Sequence, residues 1–131
     1  KRVQVIGDDF LVTNAGRIRA AARDGACNAV LIKPNQAGTL TETRAALDAA
    51  RKADFGAIVS ARSGETEDVS IVHLAVGWGV EQLKVGSITR GERTAKWNEG
   101  LRIAGALAAI AGEDGNIDGP LPPTDNFPWG K

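Results

Sequence analysis

The chain of 131 residues has no methionine, no tyrosine, a single cysteine and a single histidine. One cysteine, Cys27, cannot close an internal disulfide. Its place in GACNAV, just before an apolar run, marks it as a small buried residue. Net charge is missing as well. Lys plus Arg and Asp plus Glu stand at 16 each, which leaves no electrostatic footprint for nucleic acid or an anionic membrane surface. No apolar run approaches the ~20 residues that cross a bilayer, and no basic-then-apolar leader is visible. These absences point to a soluble, cytoplasmic protein. The sequence opens without Met, directly on the strand-like KRVQVIG, and a segment of a longer polypeptide, or one chain of a split or processed protein, is expected.

What is present is an alternating pattern. A hydrophobic content of 43% is enough for one domain with a core. Four short, β-branched apolar runs read as buried parallel strands covered on both faces: 3–7, 29–33, 55–61 and 82–86. Helical stretches lie between and after them. Residues 17–25 are Ala-rich and stop at Gly25. Residues 39–54 open with Thr39 and Glu42 at capping-box spacing. Residues 67–79 carry Ile71, Leu74 and Ala75 on one face, and 94–112 carry Trp97, Leu101, Ala104 and Ala108 on one stripe. The order β-α-β-α-β-α-β-α predicts a parallel sheet with right-handed crossovers. Residues 113–131 are rich in Pro, Gly and Asp and read as an irregular extension, which Phe127 and Trp129 could pack against the body.

Each predicted strand ends on a charged or polar side chain: Asp8 and Asp9, then Lys33, then Arg62 and Ser63, then Lys84. In a (β/α) barrel such ends converge on one mouth, where the active site lies. Gathering two lysines there beside a carboxylate and an arginine is costly, and it suggests an anionic, metal-containing ligand. The plainer alternative is an ion-pair network that caps a sheet edge. Four βα units make half of an eight-stranded barrel, with two open strand edges and an apolar inner face. A flavodoxin-like open sheet is the other architecture. It normally needs a fifth strand and a Gly-rich first turn, and GDDFLVTN is not a phosphate-cradling loop. The missing half is therefore expected from the same parent chain or from a partner.

GDD (7–9) with VTN (12–14), LIKPNQAGTLTET (31–43), ARSGETED (61–68) and QLKVGSITRGERTAKWNEGLRI (82–103) together resemble the C-terminal part of enolase, the phosphopyruvate hydratase. The resemblance covers about residues 3–111. It implies an α/β fold in which residues 1–112 form a (β/α)4 half of an enolase-type TIM barrel and 113–131 the tail. It also implies Mg²⁺ as cofactor and a phosphorylated three-carbon acid, 2-phosphoglycerate or phosphoenolpyruvate, as substrate. By resemblance Asp8 is a Mg²⁺ ligand, a hard carboxylate suited to a hard ion, with two further acidic ligands upstream of this chain. Asp9 would stand behind it. Lys33 would be the general base, a role that calls for burial and nearby positive charge. Lys84 would be the second catalytic lysine and hold the substrate carboxylate. Arg62 and Ser63 would bind the phosphate, Gly64 would let the backbone approach it, and Glu65, Glu67 and Asp68 would open the next helix. Asn35, Gln36 and Gly38 would shape the loop after Lys33. Enolases are commonly dimers, so a homo- or hetero-oligomer is expected by resemblance.

The pattern departs from the family at Ala61, where enolases usually carry His before Arg-Ser-Gly. The only histidine, His73, reads as a helix-surface or packing residue and not as a replacement. Pro34 and Ala37 are smaller departures. Three readings follow. The first is an enolase half with a tolerated substitution. The second is a homologue running a related reaction on a phosphoglycerate-derived or phosphonate substrate. The third is a non-catalytic enolase-like subunit.

Overall fold

The computed structural model describes residues 3–111. The predicted tail, with Phe127 and Trp129, lies outside the described residues. Four strands form one parallel sheet in sequential order. They are β1 (Ile6–Gly7), β2 (Ala29–Ile32), β3 (Gly56–Ser60) and β4 (Gln82–Lys84). Helices α1 (Ala15–Arg23), α2 (Pro34–Ala37), α3 (Leu40–Lys52), α4 (Ser70–Gly77) and α5 (Gly91–Ala111) follow the strands. A doubly wound sheet reverses its strand order part-way. This one never does, which removes the flavodoxin-like alternative and leaves the singly wound half barrel.

Period-two alternation sorts the strand side chains onto two faces. Val30, Ile32 and Val59 turn toward the helices and pack with Ile18 and Ala21 of α1, Ala46, Leu47 and Ala50 of α3, and Ile71, Val72 and Ala75 of α4. Cys27 joins this core, as its position predicted. Ala29, Leu31 and Ile58 form a separate small cluster on the opposite face. The expectation that both faces are covered therefore holds for one of them. The other opens into a groove of about 560 Å³, bordered by Ile6, Leu83 and Trp97. Trp97 Nε1 has no hydrogen-bond partner among the described residues.

The first strand is shorter than the predicted 3–7. The Asn28 side chain takes the place of ladder partners before Ile6: its Oδ1 accepts from Val5 N at 2.6 Å and its Nδ2 donates to the Val3 carbonyl at 2.9 Å. Helix ends follow the local chemistry more closely. Thr39 caps α3, accepting from Glu42 N at 3.1 Å, as the capping box predicted. After α1, Gly25 adopts φ 61° and Ala26 N donates to the Ala21 carbonyl, a Schellman closure. Helix α4 closes the same way through Gly79, and α3 through Asp54, which adopts φ 56° without being glycine. Arg51 of α3 donates to the Trp78 and Gly79 carbonyls just past α4, a cation placed at the negative end of that helix.

Two further departures concern the helices. The short helix α2 was not expected; Pro34 starts it at a position where the missing N–H costs nothing. In α5 the expected stripe is not the buried one. Leu101 and Ala104 are exposed, while Lys96, Glu99 and part of Ile103 face the body. Beside Ile103, which packs against the core, a polar contact ties α5 to α4. His73 of α4 pairs with the buried Glu99 at 2.7 Å, and Arg102 pairs with the same carboxylate. This fits the helix-packing role expected of His73.

Candidate active site

The loop after β1 turns back on itself. Leu11 N and Val12 N both donate to the Asp8 carbonyl, and Val12 and Thr13 take φ 44° and 53° in succession. For β-branched residues this conformation is strained. The turn sends Thr13 inward, where it is buried. Its Oγ1 accepts from Lys33 N at 2.9 Å and donates to Gln36 Oε1 at 2.8 Å. Thr13 thus clamps the end of β2 and the α2 turn together.

Lys33 leaves β2 with its side chain buried, 8% exposed, and Nζ lies 2.5 Å from Asp8 Oδ1. The two strand-end groups that the sequence placed 25 residues apart meet directly. The neighbour of Lys33 is a carboxylate, opposite in sign to the positive charge that the resemblance calls for. Asp9, beside it, is exposed.

Beyond β3, the main chain continues its pairing with β4 for one more residue, Ala61 N donating to the Lys84 carbonyl at 2.9 Å. Arg62, Ser63 and Lys84 are exposed and line one cavity of about 230 Å³, together with Ala61, Arg90 and Arg93. Lys96 also lines it, and its cationic side chains outnumber the acids Glu65 and Glu92, which suits an anion. Gly64 takes φ 81° and a Cβ there would meet nothing within 4 Å. The left-handed turn by itself calls for glycine here.

The acids after Gly64 also differ from expectation. Helix α4 starts at Ser70, too far on for Glu65 to serve its N-terminus. Glu65 folds back instead, and its Oε1 accepts from Arg62 N at 2.9 Å and from Asn35 Nδ2 at 3.4 Å. The Glu67 carboxylate lies where a Cβ on Gly91 would fall. Only Asp68 serves the helix end, accepting from Ser70 N at 2.8 Å. The backbone and side-chain hydrogen bonds from Ser70, aided by the charge of Lys96, hold the Asp68 carboxyl below its ordinary value of 3.8.

Asp8 offers one hard oxygen donor for a divalent cation. Among the described residues there is no group of three or more Asp, Glu, His or Cys side chains able to enclose a metal. The residues present fit Mg²⁺ as a single-carboxylate contribution to a shared site, since that ion retains water and takes substrate oxygens.

Thr13, Glu65 and Lys96 were not singled out as site residues from sequence. Glu65 three residues after Arg62 was a readable signal, the spacing of a side chain that reaches back to a free N–H. Thr13 and Lys96 left no local signal.

Residues 1–118 match the family model for the enolase C-terminal TIM barrel domain. The chain belongs to the enolase family. It is 54% identical over 111 residues to Enolase 1 of Desulfitobacterium hafniense (strain Y51), covering 85% of this chain and 25% of that protein. It is 52% identical over 116 residues to Enolase 2 of Pseudomonas syringae pv. syringae (strain B728a), covering 86% of this chain and 27% of that protein. The chain thus spans about a quarter of the length of the curated enolases it matches. Among the described residues no helix is long and apolar enough to cross a membrane.

Proposed function

We propose that this chain is the C-terminal barrel half of a Mg²⁺-dependent enolase-like lyase that interconverts 2-phosphoglycerate and phosphoenolpyruvate, completed by an upstream barrel half from the same parent chain or a partner. The observation that carries the reading is the gathering of Asp8, Lys33, Arg62, Ser63 and Lys84 at the carboxyl ends of four successive parallel strands. A structural cap would pair its charges off, and it would not leave the cationic cavity open.

In this reading Arg62 and Ser63 take the substrate phosphate, Arg62 with its planar fork and Ser63 with a hydroxyl donor. Lys84 holds the carboxylate. Lys33 Nζ accepts the proton from the carbon α to that carboxylate. The C–H electron pair becomes the new C=C bond as the hydroxyl leaves the adjacent carbon; with a proton from an acid of the upstream half it departs as water. Asp8 would hold Mg²⁺, which when bound neutralises charge on the substrate carboxylate. The twisted Thr13 loop fixes the Lys33 main chain and so aims the base.

Ala61 favours a second reading. It lines the cavity with an apolar methyl beside Arg62 and Ser63, where enolases usually carry His. A homologue using the same groups on a phosphoglycerate-derived or phosphonate substrate would have the same arrangement.

The test uses the assembled protein with its upstream half, 2-phosphoglycerate and Mg²⁺, with phosphoenolpyruvate followed by ultraviolet absorbance. Turnover is expected, with Lys33→Ala lowering kcat by on the order of 10²–10⁴ while substrate still binds. Arg62→Ala should raise KM roughly ten- to hundredfold, the loss of a charged hydrogen bond. Unchanged turnover in Lys33→Ala would remove Lys33 as the base. Tight Mg²⁺-dependent binding with no turnover would favour the second reading.

A further inference from the structure

Lys96 lies in the first half of α5, yet it is 1% exposed and among the largest fully buried side chains of the molecule. Its ammonium donates to the carbonyls of Thr66 and Glu92, each at 2.9 Å, and lies 3.4 Å from Glu65 Oε2. The other oxygen of that carboxylate accepts from Arg62 N and Asn35 Nδ2. One continuous polar chain therefore runs from α5, through Lys96 and Glu65, to the main chain of Arg62 and to the short helix α2 that follows Lys33.

Burying an ammonium costs several kcal/mol before its partners repay it, and an apolar side chain of similar volume would fill the same space more cheaply. Packing alone therefore does not account for Lys96. Its partners do: one is a carbonyl of the 61–69 segment, and another is the carboxylate that holds Arg62 N. Without the cation, Glu65 would be free to turn toward solvent. Arg62 and Ser63 are exposed and have few other anchors, so their direction depends on the main chain beneath them.

We propose that Lys96 and Glu65 are positioning residues for the anion-binding loop 62–64, locking the Arg62 main chain and tying that loop through Asn35 to the segment bearing Lys33. The inference rests on the reading above that Arg62 and Ser63 take the substrate phosphate.

The test compares the assembled wild-type protein with Glu65→Gln, Glu65→Ala, Lys96→Met and the double variant Glu65→Ala/Lys96→Met. The probes are inorganic phosphate and 2-phosphoglycerate, with Kd from calorimetry and kcat and KM measured separately. Glu65→Ala and Lys96→Met should each weaken binding of both probes about tenfold, raising KM more than they lower kcat. Glu65→Gln keeps an acceptor for Arg62 N and should recover most of the affinity. The double variant should be no worse than the weaker single variant, because both changes break one chain. A purely structural role would lower Tm and the folded fraction but leave the Kd of the folded protein unchanged, and that result overturns the inference. Fully additive losses overturn it too. Glu65 lies on a loop, so its variants decide the matter if Lys96→Met does not fold. Wild-type protein that takes up neither probe overturns the underlying reading and this inference with it. Wild-type binding with unaltered variants overturns this inference alone.

Discussion

At the residue scale, the molecule sets costly groups where their neighbours hold them in place. Thr13 is the clearest case, a β-branched residue at φ 53° whose hydroxyl serves both Lys33 N and Gln36. Thr13→Ala leaves a buried N–H without its acceptor and should destabilise by about 1–3 kcal/mol, read by urea denaturation. Thr13→Ser keeps the hydroxyl and should retain most of that. Asp68 gives a pH-dependent prediction. Its carboxyl is depressed in the folded state, so its stabilisation is present above the ordinary value of 3.8 and is lost as pH falls through the lower folded value. Asp68→Asn should flatten that part of the acid limb of a stability profile and leave the neutral region nearly level. A profile unchanged below 3.8 would show that the Ser70 hydrogen bonds do not favour the charged form.

At the scale of the elements, helix ends were more readable than helix faces. Thr39 with Glu42, and Gly25, were visible in the sequence because caps are local and their partners lie within a few residues. Asp54 was not, because nothing in its residue type demands φ 56°. The expected order of stability at that position is Gly at or above Asp, with Ala lowest by about 1 kcal/mol, since alanine carries the left-handed penalty without the local hydrogen bonding of Asp. Equal melting temperatures for Asp54→Ala and wild type would contradict it. The face of α5 was misread because an apolar stripe is only a guide when burial drives docking. Here Lys96 and Glu99 find partners in other elements, and these turn the helix so that Leu101 points outward.

At the scale of the whole molecule, the sequential parallel sheet leaves β1 and β4 without outer neighbours among the described residues, and an apolar groove along the inner face. Such edges pair readily with other strands. The chain alone should show no 2-phosphoglycerate turnover, and activity should appear when the upstream barrel half is supplied. Burial of Trp97, which borders the groove, should then shift its fluorescence. Turnover by the isolated chain would mean that the groups described suffice without further carboxylates. Ala61→His, made in the assembled protein, asks whether the cavity accepts the family's usual side chain. A gain in turnover supports the phosphoglycerate reading, and a loss of binding favours a substrate that needs the space.

Sequence alone determined the alternation of strands and helices and the recurrence of Asp8, Lys33, Arg62 with Ser63, and Lys84 at strand ends. Each of these follows from periodicity or from spacing along the chain. Only the tertiary structure decided that Lys33 sits against Asp8, that Glu65 reaches Asn35, and that Lys96 is buried. These depend on contacts between residues 25 or 30 positions apart, such as Lys96 with the Thr66 carbonyl and Asn35 with Glu65. A lysine on a helix reads as solvent-facing until another element arrives to desolvate it.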